Sequence, residues 1–269
     1  MMLDLASLTG PKAFGKAYQY MLENDTHAPG SVDRELAASM IRLCEDTASY
    51  LYDAYTDLRI GYVKGSRPAL EETLSAIEPS VLDPEHLIPA IAYFTRGLAE
   101  KRPRGLDAMR FGGTEEQVIE RGSEWCTDVA RVGCALYQLA GFPCRIVNLF
   151  NLNAAYSGHV IVEVYCSETW GAVDTNSAVV YRKDNGVPAT TWELMNDDVL
   201  VNRHKSPEAW CTAPEQFTSA GIANYYVRDT KQYDYSVSRL NDYYRAILTM
   251  GGQDWPGGLC WLHGEDREQ

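Results

Sequence analysis

The sequence predicts an α+β fold in which helices come before an antiparallel sheet. From about residue 11 to residue 100, apolar side chains recur at spacings near three and four, the period of an amphipathic helix. After Pro143 the period becomes that of strands, and three valines between residues 159 and 165 alternate with other side chains. Helices followed by such strands pack as layers around one core.

The N-terminal region is predicted to be mostly helical. Over residues 33–58 apolar residues recur at helical spacing with charges between them, which predicts one long amphipathic helix. A second helix, "PEHLIPAIAYFTRGLAEK" at 84–101, follows a proline-rich break and ends before Pro103. We therefore expect residues 1–105 to form an N-terminal helical region.

Two helix starts are predicted in the middle of the chain. The run "TEEQ" is a capping box, in which Thr114 and Gln117 satisfy each other's backbone N–H groups. Ser123 is then predicted to cap a second helix that ends near Gly141, with Cys126 as its third residue. A thiol in a first turn lies near unpaired N–H groups and the positive end of the helix dipole, which favour the thiolate.

Three strands are predicted next: "CRIVNLF", "HVIVEVY" and "TWGAVD". If the last two form a hairpin with an even loop, His159 lies opposite Asn176. Asp174 is then the diagonal neighbour of His159 on the same face, at about 7–8 Å between backbones. A three-residue loop would turn Asp174 to the other face.

These strands and the two helices before them define the predicted catalytic core, residues 106–200. Residues 201–269 are predicted to be an extension that packs on this core. It contains the tyrosine-rich run "NYYVRDTKQYDYS" from residue 224, and a helix is predicted in "SRLNDYYRAILTM" from residue 238.

The composition excludes several classes of function. The chain of 269 residues is 45% hydrophobic, which suffices for a full core, and its net charge of −13 opposes binding to nucleic acid or to an anionic membrane. No basic leader with a sustained apolar run opens the chain, and no 18 apolar residues run together. We expect a soluble, cytoplasmic protein that binds neither nucleic acid nor membranes.

The thiol chemistry needs a base and a group that orients it. His159 opens a strand of the predicted core, and Asp174 ends the next strand, with Asn176 as the alternative orienting residue. A zinc site built from His159 and the cysteines at 126, 134 and 144 lacks the usual short ligand spacing, so no metal is predicted. The five histidines considered are His27, His86, His159, His204 and His263.

The remaining candidates each have two interpretations. Gln117 could donate to an oxyanion or only complete its capping box, and Trp125 could wall a substrate groove or pack in the core. Glu163 shares the predicted face of His159, as a buried polar partner or as a solvated strand residue. Cys134 and Cys144 are expected to be inert core residues.

Four motifs resemble, in order, the core of the transglutaminase-like superfamily: "EWCTDVA" at 124–130, "LAGFPCR" at 139–145, "GHVIVEVY" at 158–165 and "WGAVD" at 170–174. The resemblance implies a papain-like fold with Cys126 as nucleophile, His159 as general base and acid, and Asp174 as orienting residue. Members of the superfamily form a thioester from an amide or acyl carbonyl and resolve it with water or an amine. The residues before Cys126 and the C-terminal extension depart from the usual pattern, which leaves the substrate open.

The expected function is therefore cysteine-dependent acyl chemistry. The substrate would be peptide-like or a small amide, with no metal or organic cofactor. The alternative is a binding or scaffold module that has the fold without turnover.

Overall fold

A six-stranded antiparallel sheet with helices on both faces organises the structure. This computed structural model describes residues 4–10, 12–15, 32–53, 55, 58, 60–77, 83–102, 112–151, 157–205 and 213–227. The predicted α+β class is confirmed. None of the helices in these ranges has the length and apolar character that crossing a bilayer would require.

Eight α-helices are labelled in chain order: α1 (Val32–Ser39), α2 (Glu45–Asp53), α3 (Pro68–Ile77), α4 (Pro84–Lys101), α5 (Glu115–Arg121), α6 (Cys126–Leu139), α7 (Thr191–Asn196) and α8 (Asp198–Arg203). The strands are β1 (Ile41–Leu43), β2 (Cys144–Asn151), β3 (Ser157–Cys166), β4 (Thr169–Asp174), β5 (Val179–Val180) and β6 (Ser219–Asn224). In the sheet they lie in the order β1-β6-β2-β3-β4-β5.

The prediction of one helix over residues 33–58 is wrong. Two short helices, α1 and α2, flank strand β1, which pairs with β6 at the edge of the sheet. The Thr47 hydroxyl accepts the N–H of Cys44 at 2.9 Å and donates to the carbonyl of Arg42, which stabilises the bend between β1 and α2. A pairing with a strand far along the chain therefore overrides the local helical period.

The two faces of the sheet carry different helices. Val160, Val162 and Val164 of β3 share a core cluster with α3, α4 and α6. Ile161 lies in the other cluster, with apolar residues of α2, α7 and α8. Because successive side chains of a strand point to opposite faces, His159 and Glu163 lie on the face of Ile161.

The register of β3 and β4 agrees with the even-loop prediction. Cys166 pairs with Thr169 and Val162 with Val173, so the loop has two residues, Ser167 and Glu168. Both have positive φ, 54° and 62°, which suits a two-residue hairpin turn. Asp174 therefore shares the face of Ile161 and is the diagonal neighbour of His159.

Glu115 is a buried charge that joins α5 to its surroundings. Its carboxylate lies 2.6 Å from the Arg67 guanidinium and 2.9 Å from that of Arg131, and it accepts the Tyr225 hydroxyl. Burial alone would raise the pKa of Glu115, but the two guanidinium groups outweigh it and hold the pKa below its ordinary value. Segments before α3 and after β6 are thus linked to α5 and α6.

Helix α6 approaches the turn after β4 closely at a glycine. A Cβ atom on Gly133 would lie 2.6 Å from Cγ2 of Thr175, which is buried beside Asp174. Thr95 of α4 donates its hydroxyl to the Thr175 carbonyl at 3.0 Å. The turn that carries Asp174 is therefore held by both α4 and α6.

The C-terminal predictions lie largely outside the described residues. Tyr225 is buried against the core, whereas the rest of the tyrosine-rich run beyond Val227 and the helix expected from residue 238 are outside the described ranges. The division into three regions stays a prediction. The sheet takes β1 from the first region and β6 from the last.

Gly133→Ala tests the close approach of α6 to Thr175. We expect it to lower the free energy of unfolding by about 1–3 kcal/mol, because the new methyl group overpacks a stiff, buried threonine. Gly97→Ala in α4 is the matched control: a Cβ atom there meets nothing within 4 Å, and helix propensity should stabilise the protein by about 1 kcal/mol. Urea unfolding measures both, and equal effects would contradict the packing argument.

Glu115 should make stability depend on acid pH. Since its folded-state pKa is depressed, its contribution is present above its unfolded pKa of about 4.3 and is lost as the pH falls through the lower folded value. Glu115→Gln should be less stable at pH 7 and lose less stability than the wild type between pH 5 and pH 3. Urea unfolding across this range measures the difference, and parallel curves would contradict it.

Candidate active site

Cys126 is the first residue of α6. Trp125 is the N-cap residue, with extended backbone, and its carbonyl accepts the N–H of Val129. The thiol is half-buried and not in a disulfide. The first-turn N–H groups of a helix have no partner within the helix, so α6 presents them next to this thiol.

Ser123 is not the N-cap of α6, which corrects the predicted helix start by two residues. Its hydroxyl oxygen accepts the Trp125 N–H at 3.1 Å and its proton goes to Asp128 at 3.2 Å. The buried Asp128 carboxylate engages this hydroxyl inside the loop. As a result Cys126 is the first helical residue instead of the third, still within the first turn.

His159 and Asp174 are in direct contact. Nε2 of the ring lies 3.1 Å from Oδ2 of Asp174, and both side chains are buried. The other oxygen, Oδ1, accepts the N–H groups of Asn176 at 2.9 Å and Ser177 at 3.1 Å. Asp174 thus has one oxygen held by its own turn and the other 3.1 Å from the imidazole.

The electrostatics keep Asp174 ionised at neutral pH. Burial alone would raise the pKa of Asp174, but the His159 ring and the N–H of Ser177 outweigh it and hold the pKa below its ordinary value. An ionised carboxylate at Nε2 stabilises a positively charged ring.

Asn176 connects the turn after β4 to the loop before Cys126. Its side-chain amide donates to the Glu124 carbonyl at 2.8 Å, and the Glu124 side chain pairs with Arg102 at 2.9 Å. Asp174 contacts His159, and the Asn176 side chain binds the loop before Cys126. The start of α6 therefore lies at the end of the sheet where β3 begins and β4 ends.

Two of the three predicted triad residues are in direct contact, and the third lies near them. Within the described part of the chain, no hydrogen bond joins the Cys126 thiol to the His159 ring. The hydrogen bond from Asn176 to Glu124 connects the two parts of the site, because Asn176 is two residues from Asp174 and Glu124 is two residues from Cys126. The triad assignment accordingly stays a prediction.

Gln117 makes the capping-box bond that was predicted. It is exposed, its side-chain oxygen accepts the Thr114 N–H at 2.9 Å, and the reciprocal bond is present. Trp125 is half-buried beside Cys126. Their roles at an oxyanion or a substrate groove stay predictions.

Glu163 is a buried polar residue and not a solvated one. Its carboxylate lies 2.7 Å from the Arg145 guanidinium and accepts the Tyr52 hydroxyl at 2.8 Å and the Thr191 N–H at 2.7 Å. The Arg145 guanidinium also lies 4.1 Å from the centre of the Trp170 ring. This cluster joins β2, β3, β4, α2 and α7 on the face of the sheet that carries His159.

Cys134 and Cys144 lie in the core, as the sequence indicated. Both are buried, and burial raises the pKa of the Cys144 thiol well above its ordinary value. The Cys144 thiol therefore stays protonated and unreactive near neutral pH. In the described ranges, no group of three or more His, Cys, Asp or Glu side chains is placed to hold a metal ion.

Asp128 is the residue of this site that the sequence analysis missed. It lies two positions after Cys126, is buried, and contacts both Ser123 and Arg121. The sequence feature that could have indicated Asp128 is its place on the apolar side of α6, three residues before the basic Arg131. A buried carboxylate with that spacing indicates an ion pair within the helix.

Comparison with known proteins identifies one family, and neither the curated proteins nor the solved structures give a match. The matched segment begins at Asp83, which caps α4, and ends at Thr175, one residue after Asp174. It includes Cys126 and His159. Residues 83–175 match the model of the transglutaminase-like superfamily, which confirms the resemblance drawn from the sequence motifs.

Proposed function

We propose that this protein is a thiol enzyme that transfers or hydrolyses an acyl group through a thioester on Cys126. The observation that supports it most directly is the buried contact between His159 and Asp174, at the end of the sheet beside the start of α6. A nucleophile, a base and a group that orients the base are the parts that covalent acyl transfer requires.

The proposed reaction uses Cys126 and His159 in turn. Nδ1 of His159 takes the thiol proton, and the Cys126 sulfur attacks the carbonyl carbon of an amide. The N–H groups at the start of α6 stabilise the oxyanion that forms, and the imidazolium returns the proton to the leaving amine. Water or an amine then attacks the thioester, with His159 as base, and the thiol is regenerated.

Asp174 supports each proton transfer. Its carboxylate lies at Nε2 of the ring and stabilises the imidazolium that forms twice in the cycle. The substrate is proposed to be peptide-like or a small amide. Trp125, Gln117 and Asn176 are retained as candidates for substrate or oxyanion contacts.

The burial of the contact between His159 and Asp174 argues against the scaffold alternative. Removing an imidazole and a carboxylate from water costs more than their attraction returns in many proteins, so an apolar pair would serve a binding module as well or better. Buried, oriented pairs of this kind are typical of sites that move protons. The enzyme interpretation gives the buried imidazole a role in proton transfer that the scaffold interpretation does not require.

Thiol reactivity tests the nucleophile. Cys44, Cys126 and Cys166 are all free and half-buried, so exposure alone predicts similar rates with iodoacetamide. We expect Cys126 to react at least about tenfold faster near neutral pH, because only it lies at a helix start beside a base. Peptide mass spectrometry resolves the sites, and equal rates at the three cysteines would contradict the proposal.

Acyl-enzyme trapping tests the same residue in turnover. Intact-protein mass spectrometry after incubation with candidate amides should show an adduct on the wild type. Cys126→Ala should form none and show no turnover, whereas Cys166→Ala should form the adduct normally. An adduct that persists in Cys126→Ala would exclude the mechanism.

Asp174→Asn tests the orienting residue. With an amide that acylates Cys126, we expect kcat to fall by roughly 10²–10⁴ with little change in KM, because the ring loses its orientation and the imidazolium its counter-charge. Asp184→Asn, on an exposed carboxylate paired with Arg203, is the control and should retain wild-type kinetics. A change in KM alone would assign Asp174 to binding.

A further inference from the structure

The Asp128 carboxylate is buried and has partners from several segments. Both of its oxygens accept the Gly112 N–H, at 2.9 and 3.0 Å. The Arg121 guanidinium lies 2.9 Å away, the Ser123 hydroxyl 3.2 Å and the Arg131 guanidinium 3.9 Å. These groups come from the segment before α5, the end of α5, the loop before Cys126, and α6 itself.

Hydrogen bonds to Asp128 and to α4 hold the loop between α5 and α6 in place. On one side, the Ser123 hydroxyl links Asp128 to the Trp125 N–H. On the other, the Ser123 N–H donates to the Leu98 carbonyl of α4 at 3.1 Å. Gly122 lies so close to α4 that a Cβ atom would be 2.6 Å from the same carbonyl. The residue at which α6 begins is therefore set by these contacts and not by a capping side chain of Trp125.

The charge of Asp128 does not by itself favour a thiolate. A carboxylate two residues from Cys126 would oppose a second negative charge, but Arg121 and Arg131 balance it. What Asp128 contributes is position, since it keeps the loop from rearranging and α6 from starting elsewhere.

We propose that Asp128, acting through Ser123, is the positioning residue that makes Cys126 the first residue of α6 and directs the helix-start N–H groups at its thiol. This inference rests on the proposed function. Asp128 contacts no reacting atom, and its role is to position residues that do.

The experiment measures the alkylation rate of Cys126 against pH in folded variants. Ser123→Ala removes the hydroxyl without changing charge, and we expect Cys126 to react about fivefold more slowly at pH 7, the factor that corresponds to losing one typical intramolecular hydrogen bond. The midpoint of its pH profile should move to higher pH. Asp128→Asn, which keeps the shape but loses an acceptor for Ser123 or Arg121, should have a larger effect.

Thr47→Val is the matched control. It also removes a buried hydroxyl that bonds the backbone at the start of a helix, α2, but on the far side of the sheet from α6. In Thr47→Val, the alkylation rate of Cys126 should depend on pH as it does in the wild type. This should hold even if the variant loses as much thermal stability as Ser123→Ala. A purely structural role for Ser123 would lower stability without moving the profile.

The outcomes separate this inference from the proposed function. If Cys126 of the wild type reacts no faster than Cys44 and Cys166, the proposed function fails and the inference with it. If Cys126 of the wild type is fast and Ser123→Ala is equally fast, only the positioning role is overturned. Equal slowing by Thr47→Val would also overturn it.

Discussion

The pairing register of β3 with β4 is the constraint on which the site depends. Because side chains alternate along a strand, a slip of one residue would put Asp174 on the face opposite His159. The two-residue turn at Ser167 and Glu168 excludes that slip, although both residues adopt a backbone conformation that glycine usually supplies. A local turn therefore determines whether a carboxylate meets an imidazole at the other end of the hairpin.

Buried ionic clusters on the two sides of the sheet provide the stiffness that this contact needs. Glu163 with Arg145 joins β2 and β3 to α2 and α7, while Glu115 with Arg67 and Arg131 joins α5 and α6 to their neighbours. Such clusters add little net stability compared with apolar packing, but removing one member leaves a charge buried and unpaired. Each cluster therefore connects the helices and strands that contribute its members.

Features set by neighbouring residues followed from the sequence, and those set by distant contacts did not. The capping box at Thr114, helix α4 and the three strands after Pro143 each depend on a short run of residues, and the structure shows all of them. The interruption of the predicted helix at β1 depends on pairing with β6, which no local sequence pattern indicates. Ser123 is an exception, because the partner that the sequence did not indicate is Asp128, only five residues away.

The segment that matches the superfamily is smaller than the unit that packs together. Strand β2 pairs on one side with β3 and on the other with β6, from beyond the matched segment, and Gln138 of α6 bonds the backbone at Tyr225 and Val227. A fragment cut to residues 83–175 would leave β2 as a bare sheet edge whose buried side chains, such as Ile146 and Val147, face both ways. Exposed apolar edges recruit strands from other molecules, so such a fragment would self-associate instead of behaving as a minimal catalytic domain.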